Sequence, residues 1–176
     1  MSAIDKTSPY MNYFNGYPEP IRAQVNTLIS SGKLIQYFKK KYPSGHQYNS
    51  EKALYEYANT LKQQFLKNAA KLDSVKYEKR KDLVLNALGT HTFKRHAHGK
   101  KLKAQHHIAV ANQLKYAPLE VLKALVVHEL AHFKEKDHNK SFYNLCCHMQ
   151  ANYFECELDL RLFMVLCEKG ENFYSP

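Results

Sequence analysis

From Leu119 to Phe133 the chain reads LEVLKALVVHELAHF. Leu119, Leu122, Leu125, Val126, Leu130 and Phe133 recur at helical spacing. Pro118 suits the first turn of such a helix, and Glu120 close behind it complements the positive end of the dipole. A helix this apolar has to be buried, so the rest of the chain must be built around it. Yet it carries two histidines and a glutamate, which are costly in a dry setting unless something satisfies them.

Side chains four residues apart share a helix face. His128 and His132 can therefore reach one cation together. Glu129 lies about 100° around the helix from His128. It is poorly placed as a third ligand and well placed to lean towards a water on an open metal position. Zn²⁺ held by three protein groups brings the pKa of such a water towards ~7, and the carboxylate takes its proton as the water attacks. His138 follows His132 by six residues. Zinc hydrolases called metzincins have a third histidine at that offset, with a glycine between that permits the turn. Here Glu135 occupies that place, so the chain is expected to turn through Asp137 or Asn139, which tolerate unusual backbone angles. His138 is preferred as third ligand because a third neutral imidazole is common at zinc. Glu155 and Glu157 on the following helix are its rivals. One Zn²⁺ per chain is expected.

The order along the chain is helices, strands, helices, which gives an α+β class. Residues 1–20, with Pro9, Gly16, Pro18 and Pro20, read as an extended arm that docks through aromatics. Residues 21–72 are helical. Ile21, Val25, Leu28 and Ile29 form one stripe ending at Ser31-Gly32, and Leu34, Ile35 and Phe38 a second. The third, Leu54 to Ala69, is capped by Ser50. Residues 75–111 are the sheet. Val75 and Tyr77 begin it, Leu83–Leu85 add to it, and a hairpin turns around His98-Gly99-Lys100-Lys101. Leu102, Ala104, His106, Ile108 and Val110 share one face of the second hairpin strand. Residues 117–169 hold the zinc helix and a C-terminal helix broken near Asn152-Tyr153. One domain over 1–176 is expected.

The charge balance is 26 Lys and Arg against 16 Asp and Glu, a formal +10. That favours anionic partners, nucleotides and nucleic acid among them. Lys94, Arg95, Lys100, Lys101 and Lys103 place part of this charge on the hairpin. His91, His96, His98, His106 and His107 cluster there too and read as strand and turn residues rather than as a second metal site. His148 reads as a packing residue. At least one carboxylate among Glu135, Asp137, Glu155, Glu157 and Asp159 is expected to orient a ligating imidazole. Tyr143 or Tyr153 is expected to stabilise an oxyanion. Cys146, Cys147, Cys156 and Cys167 contain no Cys-x-x-Cys pair and read as buried free thiols. No apolar run approaches the roughly 20 residues needed to span a bilayer, and the N-terminus lacks the pattern of a secretory signal. A cytoplasmic protein without membrane partners is expected, and nothing in the chain sets its oligomeric state.

The run LVVHELAHFKEKDHNKSFYNLC resembles the YgjP-like small metallopeptidases, near relatives of the SprT-like group. The residues that match are His128, Glu129, His132, His138 and Phe142-Tyr143, with Tyr143 where the family usually has Trp. The stretch LGTHTFKRHAHGKKLKAQHHIAVANQLKYAP resembles the strand region before the zinc helix, without the Trp-Gly-Ser-Cys run often found there. The resemblance covers roughly 75–168. It implies a zincin-like fold, with a small twisted sheet against the zinc helix and substrate along the edge strand, for which 102–110 is the candidate. Metallopeptidase is the activity it implies first, with peptide or protein as substrate. Hydrolysis of UTP, known for some YgjP-like members, is the alternative. A nucleic-acid-associated protein with a mainly structural zinc is a third reading.

Overall fold

The computed structural model describes residues 8–79, 89–98 and 101–174, with 89–98 and 101–104 described by their backbone alone. Three helices open the chain: α1 (Glu19–Ser30), α2 (Leu34–Lys41) and α3 (Glu51–Phe65). Pro18 caps α1 and Glu19 stands in its first turn, while Gly32, with φ +70°, lets the chain leave it. Ser50 caps α3 by accepting a hydrogen bond from the Ala53 amide at 3.2 Å. The expected extended arm is instead a 3-10 helix, Pro9–Phe14, with Met11 and Phe14 buried. Those two side chains have enough apolar surface to hold the segment against the core, and Tyr10, Tyr13 and Tyr17 pack beside them.

Three strands follow: β1 (Ser74–Glu78), β2 (Gly89–His98) and β3 (Lys101–Ala111). Their order is β1-β3-β2. β3 runs parallel to β1, with Ser74 opposite His107, and antiparallel to β2, with His98 opposite Lys101. The expectation that 102–110 forms the sheet edge is therefore corrected. β3 is central, and β1 and β2 are the edge strands among the described residues. Alternation along β3 marks which face is buried; it does not reveal that a strand preceding the hairpin inserts alongside it. Ile108 and Val110 face the core as expected. The expected strand at Leu83–Leu85, the turn residues Gly99-Lys100, and the side chains of His91, Lys94, Arg95, His96, His98, Lys101 and Lys103 lie outside the described residues.

A second 3-10 helix, Asn112–Tyr116, leads into α4 (Leu119–Ala131), then α5 (Lys140–Met149) and α6 (Tyr153–Glu168). The break near Asn152 thus separates two helices, as the sequence indicates. α4 is buried on nearly every side, packing on α6, α5, α3 and β2. One apolar cluster runs from Met11 to Leu166 and takes in β1, β3 and each of the six described α-helices. The entry to α4 is clamped by the loop before α3. A Cβ on Gly45 would overlap the Tyr116 carbonyl, so only glycine fits this close approach. Next to it, the His46 amide donates to the Ala117 carbonyl at 2.9 Å, and the His46 ring Nε2 donates to the Leu114 carbonyl at 2.8 Å. Among the described residues no helix is long and apolar enough to cross a membrane. Cys146, Cys147, Cys156 and Cys167 are free, two of them buried and two partly so.

Candidate metal centre

α4 ends where its two histidines need it to end. Ala131 is the last helical residue and His132 is the C-cap, still near helical angles at φ −64° and ψ −11°. The amides of Phe133, Lys134 and Glu135 then bond back to Leu130 and Ala131, closing a tight turn. The chain reverses through Asp137, whose carbonyl accepts from the Asn139 amide at 2.8 Å. Asn139 contributes as a cap rather than through an unusual backbone angle. It is extended at φ −88° and ψ −177°, and its side-chain oxygen accepts from the Phe142 amide at 2.9 Å to start α5. This turn replaces the glycine that Glu135 displaces, and it swings His138 back over α4.

The result is a cluster of three imidazoles. His138 Nε2 lies 3.1 Å from His128 Nε2 and 3.2 Å from His132 Nε2. His132 Nδ1 faces the Glu135 carbonyl at 2.9 Å. A carbonyl only accepts, so Nδ1 carries a proton, which in the metal-binding tautomer leaves the lone pair at Nε2 turned inward. His128 Nδ1 lies 2.8 Å from the Tyr153 hydroxyl. A single ring proton cannot satisfy three converging nitrogens; a cation can. Tetrahedral ligands at zinc–nitrogen distances stand about 3.3 Å apart, close to both separations from His138, and all three nitrogens lie within 4.8 Å of one another. The donor set therefore fits a metal ion. Among the described residues, it is the group of His, Cys, Asp and Glu side chains that meets the geometry for one.

Burial supports the same state. His128 is pushed down to about 3, first by burial and then by the charges of His132, His138 and Arg161. His138, though exposed, is also held below its ordinary value by partial burial and by His132. Neutral imidazole is the form that binds a metal. Beneath the cluster lies Phe142, fully buried, with its ring 4.8 Å from His128, 4.8 Å from His132 and 4.7 Å from His138. One flat side chain thus supports all three imidazoles. The sequence indicates Phe142 only through the family pattern, although its place four residues after His138 on a capped helix is a readable cue. Glu129 is 2% exposed. Its charge reaches Cys146, whose thiol burial pushes up to about 12.

The other expected participants are engaged elsewhere. Glu155 pairs with Lys41. Glu157 accepts from Arg161 Nε at 2.6 Å. Asp159, 1% exposed, accepts from the Tyr37 and Tyr42 hydroxyls, both at 2.6 Å, and from Lys41 at 2.7 Å. None of the three joins the imidazole cluster. It is the main-chain carbonyl of Glu135, not an expected carboxylate, that orients His132. Of the two tyrosines left open for oxyanion stabilisation, Tyr153 is 1% exposed and engaged with His128. His106 stacks on Phe133 at 4.6 Å, while His107 Nδ1 lies 2.7 Å from the Ser74 hydroxyl on the other face of β3. His148 is edge-on to Phe65 at 5.5 Å, a packing role.

Comparison with known proteins adds a family to this geometry. The family model described as the YgjP-like metallopeptidase domain matches residues 12–162. The chain is 45% identical over 162 residues to the UTP pyrophosphatase of Escherichia coli (strain K12), covering 92% of this chain and 97% of that protein. No solved structure matches. Both names are those of hydrolases.

Proposed function

The chain belongs to the YgjP-like metallopeptidase family, and from that premise we propose that it is a zinc-dependent hydrolase of nucleoside triphosphates, with UTP the first substrate to test. The observation that carries the hydrolase reading is the convergence of His128, His132 and His138 Nε2 atoms within hydrogen-bond distance of His138. The substrate choice is supported by the relative's name and by the formal charge of +10, which suits a polyphosphate. The helical N-terminal half and the small sheet against α4 belong, in this reading, to a zincin-like arrangement. Four free thiols are in keeping with a reducing cytoplasm.

Zn²⁺ held by the three imidazoles would supply a Lewis acid that lowers the pKa of water at its open position. Glu129 takes a proton from the attacking water. The water oxygen bonds to the α-phosphorus, and the anhydride bond to the β-phosphate breaks. Pyrophosphate leaves with that electron pair and receives the proton from Glu129. One water is consumed, and a nucleoside monophosphate remains. Tyr153 and the Glu135 carbonyl keep His128 and His132 in the tautomer that points Nε2 inward. Phe142 keeps the three rings from collapsing.

Glu129→Gln tests this reading. It should keep one zinc per chain and lose about 10²–10⁴-fold of UTP turnover; full turnover in the variant contradicts the role. Peptide hydrolysis is the second reading, favoured by the family's description and by β2, an edge strand packed beside α4. Turnover of peptides with none of UTP would select it.

A further inference from the structure

Phe154 is 57% exposed, and among the described residues only Leu119, at 38%, is another exposed large hydrophobic side chain. Its place is specific. Phe154 is the second residue of α6, and its ring lies 5.4 Å from Tyr143 at 32°. Tyr143 in turn lies 6.4 Å from the His138 ring at 35°. A file of aromatic rings therefore runs outward from the exposed member of the imidazole cluster. Both rings are braced from behind. Tyr143 is edge-on to Phe142 at 5.3 Å and 90°, and Phe154 is edge-on to Tyr153 at 5.6 Å and 65°. Phe154 is thereby held at the surface, with apolar area left in water, while Tyr143 is half-buried against the core.

We propose that Tyr143 and Phe154 form a stacking platform for the base of a nucleotide whose phosphates lie at the imidazole cluster. This deepens the nucleotide reading above and rests on it. Continuity with the metal centre is what commits the platform to this occupant. A nucleotide anchored by its phosphates must carry its base away from them, and the ring file starts at His138. The loop and helix start that bear His138 also carry exposed Lys134, Lys136 and Lys140, against exposed Asp137 and partly buried Glu135. A triphosphate answers that charge where an uncharged peptide does not. Stacking on two rings tolerates any base, so the platform favours nucleotides over inorganic polyphosphates without choosing among bases.

The test compares UTP with inorganic tripolyphosphate on the zinc-loaded protein, by KM and by calorimetric affinity for UMP and for inorganic phosphate. Phe154→Ala should raise KM for UTP and weaken UMP binding by about tenfold, and leave tripolyphosphate and phosphate within twofold. Phe154→Trp keeps a ring and should retain the wild-type preference. Phe154 is exposed, so neither variant threatens the fold. Wild-type UTP hydrolysis with equal effects of Phe154→Ala on both substrates, or none on either, overturns the platform and leaves the nucleotide reading standing. A wild type that neither binds nor hydrolyses UTP overturns both. A rise in KM confined to peptides assigns the rings to an amino-acid side chain and likewise overturns the proposal.

Discussion

Removing one oxygen atom should measurably loosen the metal. Tyr153→Phe deletes the hydroxyl that lies 2.8 Å from His128 Nδ1 and keeps the ring that fills its place between α4 and α5. With Nε2 turned to the cation, Nδ1 carries a proton and loses its acceptor. His128 is largely enclosed, and Tyr153 is 1% exposed, so water does not readily replace the lost oxygen. An unpaired buried donor costs about 1–3 kcal/mol, a factor of roughly 5–150 in an equilibrium constant. Partners of ligating histidines elsewhere are worth about 10–100-fold in metal affinity, so two independent estimates agree. The assay is a zinc titration against a competing chelator, run beside thermal unfolding of the metal-free form. Weakening by tenfold or more, with only a small loss of metal-free stability, is the expected result. Affinity within twofold of wild type would refute the claim that Tyr153 fixes His128.

Phe142→Ala should cost about 3–5 kcal/mol of stability, whereas Phe142→Leu should keep most of that and still weaken zinc by loosening three rings at once; equilibrium unfolding and chelator competition separate the two effects. Gly45→Ala should cost about 1–3 kcal/mol, because its Cβ meets the Tyr116 backbone rather than a flexible side chain; a variant as stable as wild type in urea would contradict the clamp on α4. His46 donates from Nε2 to Leu114 and accepts at Nδ1 from the Tyr48 amide at 3.0 Å, so burial holds it neutral and below its ordinary value of 6.5. Its contribution is therefore present above pH 6.5 and lost as pH falls below that. Denaturant midpoints should decline over this window, and the decline should be smaller in His46→Gln.

The imidazole cluster is legible because its information is local. His128 and His132 are one turn apart, and His138 is a short loop away, so spacing alone puts them within reach of one ion. What orients them is harder to read. The Glu135 carbonyl belongs to the main chain and has no side-chain signature. Tyr153 sits 25 positions from His128, and nothing in the order of residues links the two until α6 packs on α4. Glu155, Glu157 and Asp159 attract attention as carboxylates near the motif in sequence. Lys41, Arg161, Tyr37 and Tyr42 claim them in space, and three of those four come from distant elements. The sheet shows the same limit. The hairpin follows from alternation and turn residues, while the insertion of β1 beside β3 depends on a parallel pairing that joins Ser74 to His107.

Metal stoichiometry measured on untagged protein, for wild type and His138→Ala side by side, is the decisive test of a three-histidine zinc centre. One zinc per chain in the wild type, lost or greatly weakened in the variant, is the predicted result. Full zinc retention by His138→Ala, or no zinc in a wild type supplied with it, would contradict a centre built from His128, His132 and His138.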